Sequence, residues 1–229
     1  MSDTPAPTMP SATAVVLRNG SDGIETLLIQ RNENMSVYAG SWVFPGGRID
    51  EADYKGLDGS DPLAVARNTA IRETLEETGL ALATGSMLAF SHWTTPETIP
   101  KRFATWFFLA QIEGDAQVRL DASESQNFGW FSPGAALNEQ RAGRLQMAVA
   151  TVVTLHQIAQ YRSCIELELY CHQADLMYFT PRPVKHLEEQ YLLLNDDAGY
   201  ETWDILASGR LHRVIRCDNR LNYIDSVQD

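Results

Sequence analysis

Arg72-Glu73-Thr74-Leu75-Glu76-Glu77-Thr78-Gly79-Leu80 places three carboxylates and a guanidinium within six residues. The residues before it carry helix signals. Asp61 is suited to cap, Pro62 to take the first helical position, and Gly79 to stop the helix at its C-terminus. The spacing predicts a helix over 62–78. At about 100° per residue, Glu73, Glu76 and Glu77 fall on one face. Arg72 and Glu76 are spaced to pair at i,i+4, while Leu63, Ala66 and Ala70 fall on other sides and can pack. Like charges at these spacings destabilise a bare helix, and near its C-terminus they also oppose the helix dipole. A hard divalent cation with oxygen ligands offsets both effects. The competing reading is a solvated acidic face.

Working outward, Ser41 to Phe44 reads as a short strand running into Pro45-Gly46-Gly47. A glycine pair there permits close backbone approach to a metal or a phosphate, or an ordinary tight turn. Ala12–Arg18 and Ile24–Arg31 read as a hairpin around Asn19-Gly20-Ser21-Asp22-Gly23. Residues 1–11, rich in Pro, Ser and Thr, read as a loose tail. Residues 48–60, with Asp50, Glu51, Asp53 and Asp58, read as an acidic surface loop. Leu80–Phe90 should hold a strand, and 92–97 a loop. Phe103–Ile112 is a strong strand, rich in aromatic residues. A turn at 113–115 leads to Gln117–Leu120, and Asn127–Phe131 is a further short strand. A helix starts at Pro133, and a longer one, Leu145–Tyr161, shows an apolar face. Beyond 162 the pattern weakens; Leu176–Thr180, Tyr191–Leu194 and Arg213–Cys217 read as strands.

The chain has 229 residues, 44% of them apolar, and a formal charge of −12. That is enough for a sizeable core and argues against nucleic acid or an anionic membrane surface as a partner. A phosphate substrate stays open, because metal ions can supply local positive charge. Cys164, Cys171 and Cys217 make an odd, sparse set, which suggests reduced thiols and a cytoplasmic location. No apolar run is long enough to predict a membrane-spanning helix. The five histidines are scattered without metal-binding spacing.

The glycine pair and the acidic helix together resemble the Nudix box, Gly-x5-Glu-x7-Arg-Glu-U-x-Glu-Glu-x-Gly-U, with U usually aliphatic. Arg72, Glu73, Glu76, Glu77, Gly79 and Leu80 match its second half, with Thr74 at the first aliphatic position. Gly47 serves as the opening glycine, and Asp53 stands where the family usually has Glu. Eighteen residues separate Asp53 from Arg72 where the box has seven, an insertion of 11. Upstream, Leu27, Leu28, Arg31, Gly40 and Phe44-Pro45-Gly46-Gly47 fit the spacing of the coenzyme A diphosphatase branch. Ile29, Asn32 and Ser36 depart from that branch's usual residues. The insertion, Asp53, Thr95-Pro96 and the run Arg102 to Phe108 look most like its peroxisomal-type members and their bacterial relatives.

The resemblance implies an α+β Nudix fold, a mixed sheet sandwiched between helices. It implies a flexible tail at 1–11, a Nudix domain at 12–160, and a C-terminal extension at 161–229. It implies metal-dependent cleavage of a diphosphate linkage, with coenzyme A or an acyl-CoA as the specific expectation. The alternatives are ADP-ribose, a dinucleotide or another nucleoside diphosphate derivative, or, in a different class, a non-catalytic sensor of a nucleotide metabolite. Mg²⁺ or Mn²⁺ suits the oxygen donors. Glu73 and Glu77 are the expected principal ligands, with Glu76 sharing and Gly47 contributing backbone. Arg72 should orient the carboxylates. Glu124 is the loop candidate for a general base, or else an exposed loop carboxylate. Arg31, Arg102 and Trp93 are candidates for substrate contact, against surface or packing roles. The partner expected is a small-molecule diphosphate, with no nucleic acid and no membrane, and with a homodimer as an open expectation.

Overall fold

A computed structural model describes residues 5–57, 61–114, 116–218 and 220–227. Its central strand is β1, Thr8–Gly20. A tight turn leads to β2, Gly23–Arg31, in antiparallel register. Two short strands follow, β3 at Trp42–Val43 and β4 at Gly46–Arg48. After the helix α1, Pro62–Thr78, come β5, Met87–Thr94, and β6, Arg102–Gln111. Next are β7, Ser125–Phe131, and the helices α2, Pro133–Arg141, α3, Val149–Ile158, and α4, Cys164–Cys171. β8, Met177–Phe179, completes the first sheet in the order β3-β2-β1-β6-β5-β8, with β4 paired to β1 and β7 to β2. β1 and β6 run parallel along ten residue pairs.

Alternation along β1 decides what each face holds. Ala12, Ala14 and Val16 point to one side, where they pack with Ala66 and Ala70 of α1 and with Phe108. Val15 and Leu17 point to the other, into a larger core with Phe107, Leu137, Val152 and Leu155. The expected α+β architecture, a mixed sheet between helices, is therefore present. Small residues on the buried side of α1 let that helix lie close to the sheet. Its ends are as predicted: the Asp61 carboxylate accepts from the amides of Leu63 and Ala64 at 2.9 and 3.1 Å, and Gly79 closes the helix at φ 72°.

Several boundaries differ from expectation, each because tertiary pairing supplied partners that local sequence did not reveal. Residues 8–11 are not a tail: they pair with Arg102–Thr105 on β6. The segment at 92–94, expected as loop, continues β5, paired with both β6 and β8. Helix α3 starts at Val149 rather than Leu145, because the preceding segment lies along β3, where the Trp42 amide donates to the Gln146 carbonyl at 2.7 Å. Residues 117–120 form no strand; the chain follows the end of α1, and the Arg119 amide donates to the Thr78 carbonyl at 2.8 Å. The acidic loop is not wholly a surface feature, since a 3-10 turn over Glu51–Tyr54 buries Asp53. Asp58 and the first four residues lie outside the described residues.

The C-terminal part adds β9, Arg182–His186, β10, Glu189–Leu193, β11, Arg210–Cys217, and β12, Arg220–Val227. They form a second, antiparallel sheet in the order β12-β11-β10-β9. Leu192, Leu194, Val214 and Leu221 join the larger core, so the two sheets share one apolar interior. A buried ion pair ties the 195–209 connection to this sheet. Arg213 grips Asp197 through two bonds of 2.7 and 2.8 Å and donates to the Ile205 carbonyl. Asp197 also accepts from the amides of Gly199 and His212. No helix among the described residues is long and apolar enough to cross a membrane.

Every oxygen of Asp197 is engaged, and Arg213 has no solvent to fall back on. Asp197→Ala strands that guanidinium, and a chemical-denaturation curve should show a loss of about 3 kcal/mol or more. An unchanged midpoint and slope would show that the pair does not hold this sheet together.

Candidate active site

The site begins where β4 passes under α1. A Cβ on Gly47 would collide with the carboxylate of Glu73, so the helix carboxylate and the strand backbone approach closely only because residue 47 is glycine. One residue earlier, the Gly46 amide donates to Glu77 Oε2 at 2.9 Å. Glu73 and Glu77, one helical turn apart, therefore both face the glycine pair.

Arg72 organises the acidic side. Its Nε and Nη2 bind Asp53 Oδ1 and Oδ2 at 2.8 and 3.0 Å, and its Nη1 reaches Glu73 at 2.9 Å and Glu76 at 3.0 Å. Nη2 also donates to the Arg48 carbonyl. This is the bidentate role expected of an arginine that positions carboxylates. Asp53 is 3% exposed and accepts further bonds from the Asp50 amide and the Thr69 hydroxyl, both at 2.8 Å. Burial works to raise the Asp53 carboxyl, but the Arg72 bonds, the Asp50 amide and Thr69 outweigh it and hold the group below its usual range. Asp53 was visible in the sequence only as a variant of a motif position. Its burial and its bond to Arg72 required the 3-10 turn to fold back onto α1.

Glu77 is the group under most tension. It is 2% exposed, and its Oε1 has no hydrogen-bond partner. The nearest cation is Arg31, whose Nη1 lies 3.8 Å from that oxygen. Burial is the largest influence on the carboxyl; the Gly46 amide and Arg31 oppose it, while Glu73 and Glu124 add repulsion, and the result is a pKa of about 8. Glu73 is also raised, by burial first, with Arg72 opposing and Glu76 and Glu124 contributing. A buried oxygen without a partner, beside a second carboxylate and a backbone turn, is a donor set that suits a hard divalent cation. As placed, no three His, Cys, Asp or Glu side chains among the described residues stand close enough together to hold a metal ion. Arg72 draws Glu73 and Glu76 to itself, and Glu76 keeps a side-chain exposure of 56%.

The remaining expected residues separate into two groups. Arg31 is brought beside Glu77, and its own Nε is buried without a partner. The Glu124 loop is brought there too. The Asp121 amide donates to the Glu77 carbonyl, and Asn32 binds the backbone of Ala122, Ser123 and Glu124. Glu124 itself is exposed. Trp93 and Arg102 stand apart. Trp93 is 6% exposed, stacked on Phe179 with ring centroids 4.2 Å apart, inside the larger core. Arg102, 8% exposed, donates to the carbonyls of Thr95 and Ala6, clamping the N-terminal segment to the sheet. Both were candidates for substrate contact. The strand pairing of β5 turns Trp93 inward, and the bonds of Arg102 commit it to backbone.

Replacing Asp53 by Asn leaves Arg72 without its strongest partner. Urea unfolding should show a loss of about 2 kcal/mol, the scale of hydrogen bonds to a charged group. A variant as stable as the parent would mean that Glu73 and Glu76 suffice to hold the guanidinium.

The NUDIX domain family model matches residues 7–149, more than half of the chain. A candidate nudix hydrolase 7 of Caenorhabditis elegans is 21% identical over 201 residues, covering 72% of this chain and 65% of the worm protein. A candidate nudix hydrolase of Schizosaccharomyces pombe is 40% identical over 73 residues, which are 32% of this chain and 22% of the yeast protein. The chain thus spans less than two thirds of the length of either relative. Among solved structures, a NUDIX hydrolase from Alicyclobacillus acidocaldarius aligns with a TM-score of 0.62 at 24% identity, covering 73% of this chain and 96% of that one. The NUDIX domain of Shewanella oneidensis NrtR, solved with ADP ribose, aligns with a TM-score of 0.52 at 17% identity, covering 68% of this chain and 88% of that domain. These likenesses share the fold described above. With the family match running from β1 into the start of α3, and both halves of a split box assembled around Gly47 and Arg72, the chain belongs to the Nudix family.

Proposed function

We propose that this protein is a metal-dependent diphosphatase that cleaves the diphosphate linkage of a small nucleotide-derived substrate. The observation that carries the reading is the unpartnered, buried Oε1 of Glu77 beside Glu73 at the glycine turn. Glu73 and Glu77 would hold the ion, Mg²⁺ or Mn²⁺ by donor type, with backbone at Gly47 and the exposed carboxylate of Glu76 as further oxygen donors. Metal ions bound there supply positive charge against a strongly anionic transition state and acidify water. Arg72, saturated by Asp53, Glu73, Glu76 and a carbonyl, acts as a positioning residue.

Arg31 stands at the rim of this site and offers a guanidinium to a phosphate oxygen once Glu77 has another partner. Glu124, exposed on the neighbouring loop and close enough to repel both Glu73 and Glu77, is the proposed acceptor of the proton lost by the attacking water. For the substrate, the proposal is coenzyme A or an acyl-CoA, supported by the sequence pattern from Leu27 to Gly47, Arg31 included, that resembles the coenzyme A diphosphatase branch. The products would be 3',5'-ADP and the corresponding phosphopantetheine. Compounds such as ADP-ribose are the alternative. A binding-only sensor has less support, since binding alone does not call for the full set Arg72, Glu73, Glu76 and Glu77.

A panel of coenzyme A, acyl-CoAs, ADP-ribose, NADH and dinucleoside polyphosphates, each with Mg²⁺ and with Mn²⁺, tests the reading. Turnover of coenzyme A species is expected; robust turnover of ADP-ribose with none of coenzyme A would reject the specific substrate and keep the reaction class. Glu77→Gln should lower turnover at least about a hundredfold, and full activity in that variant would remove the metal role. The same substitution has an opposite effect on metal-free stability. Glu77 has its pKa raised on folding to about 8, against an ordinary 4.5. The folded state therefore holds a proton that the unfolded state releases, and stability falls as pH rises from about 4.5 to about 8. Glu77→Gln should flatten that fall in thermal melts recorded with a chelator. A parallel decline in both proteins would show that Glu77 is not its source.

A further inference from the structure

Strand pairing brings a polar side chain beside Glu77 that the site described above does not use. Arg31, at the end of β2, stands opposite Ser125, at the start of β7. The Asn32 amide donates to the Glu124 carbonyl at 2.9 Å, so Arg31 and Ser125 form a pair flanked by a ladder bond rather than joined by one. Side chains in such a pair project from one face, with their Cβ atoms about 5 Å apart. One residue earlier on β2, Gln30 stands opposite Asn127, so Gln126 is the extra residue of a β-bulge. In an unbroken register Gln126 would oppose Arg31. The bulge gives that place to Ser125.

Three side-chain atoms in this neighbourhood are buried without hydrogen-bond partners: Glu77 Oε1, Arg31 Nε and Ser125 Oγ. Arg31 joins the other two residues, since its Nη1 lies 3.8 Å from Glu77 Oε1 and its side chain shares a face with that of Ser125. The backbone joins them as well. The Ser125 amide donates to the Asp121 carbonyl at 3.0 Å, and the Asp121 amide donates to the Glu77 carbonyl at 3.1 Å. Ser125 is 1% exposed. A hydroxyl buried without a partner costs stability, so the fold gains nothing from a serine over an alanine at this position.

We infer that Ser125 Oγ and the Arg31 guanidinium form a two-donor seat for a non-bridging oxygen of the substrate's phosphoryl group, beside the ion proposed at Glu77. The inference rests on the diphosphatase reading and adds a substrate contact that the acidic helix does not supply. The three unpartnered atoms sort by chemistry. Glu77 Oε1 only accepts, and suits a cation. Arg31 Nε only donates, and the Ser125 hydroxyl is free to donate, so an anionic oxygen satisfies both. With Glu77 engaged by an ion, the guanidinium is free to turn to a phosphoryl oxygen, which then meets the hydroxyl on the same face. Consecutive residues of one loop divide the work: the exposed Glu124 serves the attacking water, and the buried Ser125 serves the phosphoryl group.

The test uses Ser125→Ala in the full-length protein, with Mn²⁺ and inorganic diphosphate as probes. Loss of an unpartnered hydroxyl should leave the thermal midpoint of the metal-free protein unchanged or slightly higher. Calorimetric titration with Mn²⁺ alone should match the wild type. Titration of the Mn²⁺-loaded protein with diphosphate should show an affinity lower by about tenfold or more, the scale of a hydrogen bond to a charged group. The kcat/KM for the best substrate of the panel should fall by a similar factor, and Ser125→Cys, with its weak S–H donor, should lie between. Wild-type diphosphate affinity in Ser125→Ala would overturn the seat and assign the hydroxyl to a buried water. So would no diphosphate binding by the wild type, an equal loss of affinity for Mn²⁺ alone, or a lower thermal midpoint. Turnover of the substrate panel by the wild type keeps the diphosphatase reading intact in each of those cases. A wild type that binds diphosphate through Ser125 but hydrolyses nothing in the panel would sink the diphosphatase reading and keep the seat.

Discussion

The two-point grip of Arg72 on Asp53 connects the parts on which the site depends. Asp53 lies on a 3-10 turn that follows β4, and Arg72 lies near the end of α1, so the pair closes the loop between glycine turn and helix. Thr69 and Asn68, one turn earlier on α1, bind the same residue through its carboxylate and its carbonyl. The helix is thereby held at a fixed height and rotation over β4. That rotation brings Glu73 against Gly47 and Glu77 against the Gly46 amide. Eleven extra residues between the halves of the box do not disturb this, because loop length costs little once the ends are tied.

A second constraint is the accumulation of negative charge that this clamp enforces. Arg72 neutralises part of it at Asp53, Glu73 and Glu76, and little of its charge is left for Glu77. Glu77 is buried next to other carboxylates with one oxygen unbonded, an arrangement costly to a protein without a ligand. The cost is concentrated on the face of the sheet where α1 stands. On the other face, Trp93, Phe107 and Phe179 pack with the apolar side chains of α2 and α3 and carry no comparable electrostatic load. The α1 side thus carries both an apolar core, with Ala12, Ala14, Val16, Ala66, Ala70 and Phe108, and the charged cluster beside it.

The C-terminal residues extend this division. β8 adds Phe179 to the apolar face and Tyr178 to the other, so a three-residue strand serves both sides. The second sheet closes the core from below with Leu192, Leu194, Val214 and Leu221, and its buried Arg213–Asp197 pair ties down the 195–209 connection. β8, β10 and β11 were expected as strands, but the sheets they join and the buried ion pair were not legible beforehand. β9 and β12 were not expected as strands, since each is short or polar and finds its pairing only across the sheet. Helix α4 went unrecognised because its apolar and acidic residues alternate without a helical stripe, although Ser163 caps it.

The local pattern by itself determined the helix over 62–78, its caps, the carboxylate face, the glycine turn before it and the family to which they belong. These are matters of spacing and backbone conformation within a few residues. Tertiary structure decided which of several equivalent residues meets which. Asp53 could be read as a surface acid until a turn buried it under Arg72. Trp93 and Trp106 are both aromatic residues in strong strand sequences, yet Trp93 is buried in the larger core and Trp106 lies partly exposed on the α1 side. The difference is a matter of strand register, which depends on partners 12 or more residues away in sequence, Thr105 for Trp93 and His92 for Trp106. Local sequence carries propensity and charge; burial and facing come from long-range pairing, and in this protein they separate packing residues from those proposed for chemistry.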